Sequence, residues 1–119
     1  MDDRLTSDED LLVFVKWMDF LAWLLPATGK FPKNARFSFS QRIEGLALDV
    51  VEDLVEARYS TEKRGCLRRA NLRLEKLRVL LRLSHTLRYL SHEGYQHASR
   101  CINEAGRMLG GWIKQQDRK

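Results

Sequence analysis

Residues 64–90 constrain the fold of this chain more than any other stretch. They contain no proline, and their single glycine lies at the start, so the composition favours a long helix. At helical spacing, the apolar residues form two stripes on opposite sides. One stripe contains Leu67, Ala70, Leu74, Leu77, Leu81 and Ser84, and the other contains Leu72, Val79, Leu80, Leu83, Leu87 and Leu90. A surface helix shows one apolar stripe, so two stripes predict burial on two sides, the second one against another subunit.

The same segment concentrates the positive charge of the chain. It holds eight basic residues and one acid, Glu75, a balance of +7 against +5 for the whole protein. Four of the arginines follow one seam between the apolar stripes: Arg64, Arg68, Arg78 and Arg82. Arginine suits bidentate contacts with phosphate or carboxylate groups. The seam is therefore a docking surface for nucleic acid or an acidic partner, or else a solvated face paired with acidic neighbours.

A second basic stretch lies in the loop predicted at residues 26–37, where glycine, proline and asparagine favour turns. It interleaves three cations with two aromatic side chains: Lys30, Lys33, Arg36, Phe31 and Phe37. Such alternation is typical of proteins that bind a nucleic-acid strand by charge and base stacking. In the alternative interpretation, the phenylalanines only pin the loop onto the protein.

The remaining patterns predict an all-α chain that forms one domain over residues 1–119. Ser7 is a predicted N-cap for the first helix, Pro26 is predicted to end it, and Ser38 with Gln41 forms a capping-box pattern for the second. The predicted helices cover about 8–25, 39–60, 63–90 and 92–114, followed by a polar tail that we expect to be disordered. Together they predict an up-down antiparallel four-helix bundle.

The first helix argues for an oligomer as well. Residues 11–25 are apolar except Lys16 and Asp19, and fifteen residues are too few to span a bilayer. We therefore expect no membrane contact and burial on nearly every side, which one small bundle cannot provide. Cys66 and Cys101 lie far from any CxxC motif and are interpreted as reduced thiols of a cytoplasmic protein.

Catalytic and metal-binding patterns are not found. Four acids lie on the second helix opposite its apolar stripe, and no Glu-x-x-His accompanies them; they are Asp49, Glu52, Asp53 and Glu56. We interpret them as a stripe that faces solvent or the basic helix of a neighbour. His97 and Cys101 have a two-ligand spacing without further ligands nearby. The sequence predicts no metal, no cofactor and no enzymatic activity.

Three stretches together resemble one family, the accessory variability determinant (Avd) proteins of diversity-generating retroelements. They are WMDFLAWLLPATGKFPKNARFSF at 17–39, ANLRLEKLRVLLRLSHTLRYLS at 70–91, and GRMLGGWIK at 106–114. The likeness extends over roughly residues 14–114 and preserves the order of the four helices. The FLxWLLPxTxKFPxxxRF and GRMLGGW strings are its distinctive parts.

The resemblance implies a four-helix protein that assembles into a basic homopentameric barrel. It implies binding to the reverse transcriptase of the element and to its template RNA, with DNA as a related ligand, in support of mutagenic cDNA synthesis and retrohoming. It implies no catalytic role. Our candidate binding residues are Arg64, Arg68, Arg78 and Arg82, with Lys30, Lys33 and Arg36. The alternative is a helical oligomeric scaffold related to the four-helix protein encoded in ribosomal-RNA intervening sequences.

Overall fold

Four long helices make up most of the protein. The computed structural model describes the backbone of residues 3–117 and the side chains of residues 10–117. The helices are α1 (Asp3–Gly29), α2 (Gln41–Tyr59), α3 (Lys63–Thr86) and α4 (His92–Asp117). A 3-10 turn at Lys33–Ala35 and a π-helical turn at Arg36–Ser40 connect α1 to α2. The described backbone contains no β-strand, and the all-α prediction is confirmed.

The helices form an elongated bundle of 49 × 23 × 20 Å in which each packs on its sequence neighbours and α4 returns to α1. Neighbouring helices run antiparallel. Asp10, near the start of α1, pairs with Arg58 near the end of α2. Arg64, at the start of α3, pairs with Asp117 at the end of α4. The predicted up-down arrangement is therefore the one observed.

The core consists of the apolar faces that the helical spacing predicts. The first stripe of α3 is fully enclosed, and α4 contributes the matching row Ala98, Ile102, Ala105, Leu109 and Trp112. Trp17 of α1 is also buried, and its indole N–H donates to the carbonyl oxygen of Ala47 at 2.9 Å. Because a buried indole N–H needs an acceptor, this bond fixes the axial position of α1 relative to α2.

Helices α2 and α3 are held together by a buried carboxylate. Asp53 is only 4% exposed and accepts hydrogen bonds from Arg73 Nη1 at 2.6 Å and Arg69 Nε at 3.3 Å. Glu56 and Asp49 extend this group through contacts to Arg69 at 2.8 Å and Arg73 at 3.7 Å. The hydrogen bond to Asp53 also raises the pKa of Arg69. The interpretation of these acids as facing solvent or a neighbour is therefore wrong for Asp53, which is buried. Glu56 and Asp49 do face solvent, at 59% and 49% exposure, and they also pair with arginines of their own chain.

The first helix does not end at Pro26. Proline removes one backbone hydrogen bond, yet α1 continues to Gly29. Tertiary contacts hold the extra turn, because the buried hydroxyl of Thr28 donates to Glu44 Oε2 at 2.6 Å. The hydroxyl of Ser40 then donates to the carbonyl oxygen of Thr28 at 2.8 Å. These contacts offset the lost bond, so the prediction of a helix end at Pro26 is wrong.

Other helix ends also differ from prediction. Backbone helix begins at Asp3 rather than at a Ser7 cap, whose side chain lies outside the described residues. The π-helical turn leads directly into α2, so the Ser38 hydroxyl bonds Ala35 O at 3.4 Å instead of forming a capping box. At the other end, the tail is helical to Asp117, where the ion pair with Arg64 holds it. The predicted disorder of residues 114–117 is wrong.

Helix α3 ends at Thr86, four residues before the predicted end. Arg88 adopts a left-handed conformation with φ of 66°, and the amides of Tyr89 and Leu90 bond the carbonyl oxygen of Ser84. This reversal places the Tyr89 ring beside Phe31 and Phe39, at centroid distances of 5.8 and 5.4 Å. The aromatic contact is non-local, and the leucine pattern of α3 could not predict it.

Because α1 is continuous, its Asp10–Gly29 segment is 20 residues long, with mean hydropathy 1.5, and is long and apolar enough to cross a membrane. The prediction that the apolar part of the first helix is too short to span a bilayer is therefore wrong. The core helix of a soluble protein meets the same test, but such a helix is mostly buried, whereas 33% of the apolar window of α1 is buried in the single chain. The absence of membrane contact stays a prediction.

We expect Asp53→Ala to lower the free energy of unfolding by about 2–3 kcal/mol, because it leaves Arg73 without its shortest ion pair. Glu56→Ala is the matched control, since it removes an exposed carboxylate from the same arginine group and should change stability little. Chemical denaturation of both variants measures the difference. Equal losses in the two variants would show that burial of Asp53 does not determine its contribution.

Candidate nucleic-acid interface

The basic residues of α3 divide into two sets according to the helix they face. Arg69 and Arg73 face α2 and are occupied by its carboxylates. The four seam arginines lie on the side that faces α4 and solvent, at spacings that bring them onto one strip of the helix. Apart from Lys76, which lines a groove between α2 and α3, the positive charge of α3 that remains available for a ligand is therefore on the α3–α4 side.

Two hydrogen bonds hold the side chain of Arg78, and one of them reaches across to α4. Its Nε donates to Glu75 Oε2 at 3.1 Å, and its Nη1 donates to the side-chain oxygen of Asn103. Gly106 provides room for this crossing, because a Cβ there would lie 3.3 Å from Arg78 Nη2. The guanidinium is consequently ordered at the surface, and its side chain remains about one-third exposed.

The other seam residues are less restrained. Arg64 pairs with Asp117 at 2.5 Å, and both side chains are about half exposed. Arg68 and Arg82 are exposed and make no ion pair or hydrogen bond with another described side chain. Exposed pairs such as Arg64–Asp117 add little to stability and exchange readily for a phosphate. Arg68 and Arg82 can bind a phosphate without first breaking an ion pair to another residue of the described part of the chain.

A groove of about 390 Å³ runs between α3 and α4. Arg78 and Arg82 line its α3 wall together with Glu75, which pairs with Arg78, so the wall has a net positive charge. The opposite wall is formed by Tyr95, Ser99 and Asn103 of α4. The ring of Tyr95 stacks on His85 at 4.7 Å with an interplanar angle of 10°. The groove therefore combines cations, hydrogen-bonding groups and a fixed aromatic ring, which are the elements that contact a nucleic-acid strand.

Helix α4 adds basic residues that the sequence analysis missed. Arg107 and Lys114 are exposed on its outer side and have no ion pair among the described residues. Their spacing of seven residues, which Arg100 extends by another seven, was a signal of one basic face opposite the apolar stripe. These positions widen the basic surface from one helix to two.

The loop cations form a separate group. Lys30, Lys33 and Arg36 are exposed at the end of the bundle where α1 leads into α2, while the seam follows the length of α3. Of the two loop phenylalanines, Phe31 is buried and packs near Tyr89, but Phe37 is 79% exposed. Phe31 thus pins the loop, and only Phe37 is open to a ligand.

The structure brings together no catalytic group or metal site among the residues it describes. The His97 Nε2 and Cys101 Sγ atoms are 3.7 Å apart, and no third ligand completes a metal set in that part of the chain. Burial raises the pKa of the Cys101 thiol, as does nearby Glu104. A thiol held in its protonated form is a poor nucleophile.

Comparison with known proteins adds a family match and a fold match. A sequence model described as bAvd-like matches residues 11–116. No match is found among curated proteins. The fold is similar to that of a Bacteroides thetaiotaomicron protein of unknown function from the S23 ribosomal protein family, with a TM-score of 0.68 and 19% identity over 96% of this chain and 99% of the other. At that identity, the likeness shows the fold alone.

We expect treatment with EDTA to leave the helical content and thermal unfolding of the purified protein unchanged, because no described group of ligands completes a metal site. Circular dichroism before and after chelation, followed by metal analysis, tests this. Stoichiometric zinc or iron in the purified protein would contradict the prediction.

Proposed function

The chain belongs to the bAvd-like family of accessory variability determinant proteins, and on this premise we propose that it is the accessory protein of a diversity-generating retroelement. In this proposal, it binds the reverse transcriptase of the element and its template RNA and supports mutagenic cDNA synthesis and retrohoming. The family is accessory and non-catalytic, so the proposal assigns the chain no enzymatic step.

The observation that carries this proposal is the separation of charge on α3. The carboxylates of α2 neutralise Arg69 and Arg73, and the same helix presents Arg68 and Arg82 without partners among the described residues. A polyanion such as RNA supplies the phosphates that this second set lacks. An acidic surface on the reverse transcriptase could pair with the same arginines. The proposal therefore has both partners bind the same α3–α4 side of this protein.

Self-assembly is the second part of the proposal, and we propose a closed homopentamer on the family likeness. Exposed leucine and valine side chains on α3 support it, since Leu72, Val79, Leu83 and Leu87 are 42–66% exposed in the single chain. Monomeric proteins rarely leave a row of large apolar side chains in water. These residues are four of the six in the second stripe that the sequence assigned to another subunit. Leu90 is buried and Leu80 is partly buried within the chain itself, so the assignment is wrong for Leu90.

A helical scaffold without RNA binding is the second candidate, and the exposed apolar rows favour it equally. One form of it required the α2 acids to bind the arginines of a neighbour. That form loses support because Asp49, Asp53 and Glu56 pair with Arg69 and Arg73 of their own chain. A scaffold would have to assemble through apolar contacts instead.

We expect the double variant Arg78→Glu/Arg82→Glu to bind RNA more weakly than the wild type while keeping its helicity and assembly, because exposed charges add little to folding. Binding of the wild type should weaken with salt, with a log–log slope of about −0.7 per neutralised phosphate on a single strand. Fluorescence anisotropy with a labelled template RNA measures both effects, and pull-down of the reverse transcriptase tests the protein partner.

Arg78→Lys/Arg82→Lys is the matched control, since it keeps the charge and should retain most of the salt-dependent affinity. Loss of assembly in the glutamate variant with undiminished RNA binding would contradict the proposal. That result would favour the scaffold.

We expect the wild type to elute as a closed oligomer at micromolar concentration and Leu83→Asp/Leu87→Asp to give smaller species that remain helical. The reason is that both leucines are exposed in the single chain, at 42% and 44%, and add little to its own core. Gel filtration with light scattering gives the mass. A wild type that is entirely monomeric would overturn the assembly part of the proposal.

A further inference from the structure

A second apolar surface, on the opposite side of α2 from α3, has no partner in the single chain. We name it the α1–α2 face. Six large side chains that are 42–80% exposed define it: Leu11, Val15, Met18, Leu48, Val55 and Tyr59. The α1 members recur at spacings of four and three, and the α2 members at seven and four, so each set lies on one side of its helix.

The two sets form one surface because α1 and α2 are antiparallel and in fixed register. The indole bond from Trp17 to Ala47 places Met18 beside Leu48 at the middle of the helices. Toward the end, a groove of about 300 Å³ is lined by Leu11, Phe14, Val55 and Tyr59. A contiguous apolar area of this kind is typical of an interface rather than of free surface.

An open groove lies on the neighbouring side of the bundle. It has a volume of about 630 Å³ and lies between α2 and α3. We name it the α2–α3 groove. Gly45, Leu46, Val79 and Leu80 form its apolar floor, with Arg42 and Lys76 among the charged residues at its sides. At Gly45, an added Cβ would meet no atom within 4 Å, so the groove is open to an incoming side chain.

We propose that the α1–α2 face of one copy docks into the α2–α3 groove of the next copy. Charge supports this pairing over like-with-like contact. Asp19 and Glu52 are exposed beside the apolar face, whereas Arg42 and Lys76 are exposed beside the groove. Two residues of opposite sign also line these surfaces, and both pair within the chain: Arg58 at the face pairs with Asp10, and Asp49 in the groove pairs with Arg73. Acids on one surface meet bases on the other, while pairing of either surface with itself brings like charges together.

The positions of the two surfaces also determine the kind of assembly. Unlike surfaces joined head to tail form a ring when the rotation closes and a filament when it does not. The two surfaces share α2 and lie on adjacent sides of the bundle, so each copy turns relative to the previous one. This inference rests on the proposed self-assembly and adds to it which surfaces meet.

The test uses two full-length variants, each with one surface altered. Val15→Lys/Leu48→Lys places cations on the α1–α2 face. Val79→Glu/Leu83→Glu places one acid in the α2–α3 groove and a second acid one helical turn further along α3. All four positions are 42–66% exposed, so the fold should persist, and circular dichroism checks it. In light scattering, each variant alone should be a monomer, whereas an equimolar mixture should give a dimer and nothing larger.

The mixture distinguishes the possible failures. A dimer forms because the intact face of one variant meets the intact groove of the other, and neither complex can grow. An assembled wild type together with a mixture that stays monomeric would overturn the assigned surfaces and leave the oligomer standing. So would a variant that remains assembled by itself. A monomeric wild type would overturn the assembly proposal as well.

Gly45 offers a matched pair for the groove. Gly45→Ala should retain the oligomer and stabilise α2, since alanine favours helix over glycine by about 1 kcal/mol. Gly45→Trp should fill the open space and reduce the mass to that of a monomer with unchanged helicity. Assembly of the tryptophan variant at wild-type mass would contradict the proposal.

A membrane is the other occupant to test for the α1–α2 face, because α1 is apolar enough to enter one. The probe is a mixed phosphatidylcholine and phosphatidylglycerol vesicle in a flotation assay. The proposal expects the assembled wild type to stay with the aqueous fraction. A monomeric wild type that floats with vesicles, and stops floating in Val15→Lys/Leu48→Lys, would overturn the proposal and assign the face to lipid.

Discussion

The buried carboxylate of Asp53 is the contact on which the charge distribution of this protein depends. A carboxylate removed from water requires paired donors, and Arg69 and Arg73 supply them from the neighbouring helix. The pairing fixes which side of α3 faces α2. It therefore also fixes the side on which Arg68 and Arg82 reach solvent, so one helix both stabilises the bundle and forms the candidate interface.

The same orientation of α3 explains the apolar surfaces. Its first stripe fills the core completely, and Leu74 and Leu77 have no exposed area. Most of the second stripe then points outward, and Leu72, Val79, Leu83 and Leu87 stay exposed among the residues that the structure describes. Helix α1 also has more apolar side chains than the core can enclose, since Trp17 and Leu24 fill the core while Leu11 and Val15 remain about half exposed. We propose that a second copy of the chain covers these exposed apolar side chains, because the charges beside the two surfaces are of opposite sign.

Sequence reasoning predicted the helices and their faces well and their ends poorly. Periodicity identified the buried rows because side chains three and four residues apart share a side of any helix. Helix ends depend on contacts between distant residues. Pro26 does not end α1 because Thr28 and Ser40 hold the following turn, and α3 stops early because Tyr89 packs beside Phe31. Similarly, the basic seam was found on α3, but the contribution of α4 required knowing which sides of the two helices meet.

The sequence by itself determined the helical class, the four helical segments and the concentration of arginine on one of them, because these properties depend on local spacing and composition. The tertiary structure alone decided which arginines are paired. Arg73 and Arg82 are equivalent as residues in the sequence, yet one binds Asp53 at 2.6 Å and the other lines an open groove. That difference arises from the packing angle of α3 between α2 and α4, a relation among distant residues that no local pattern records.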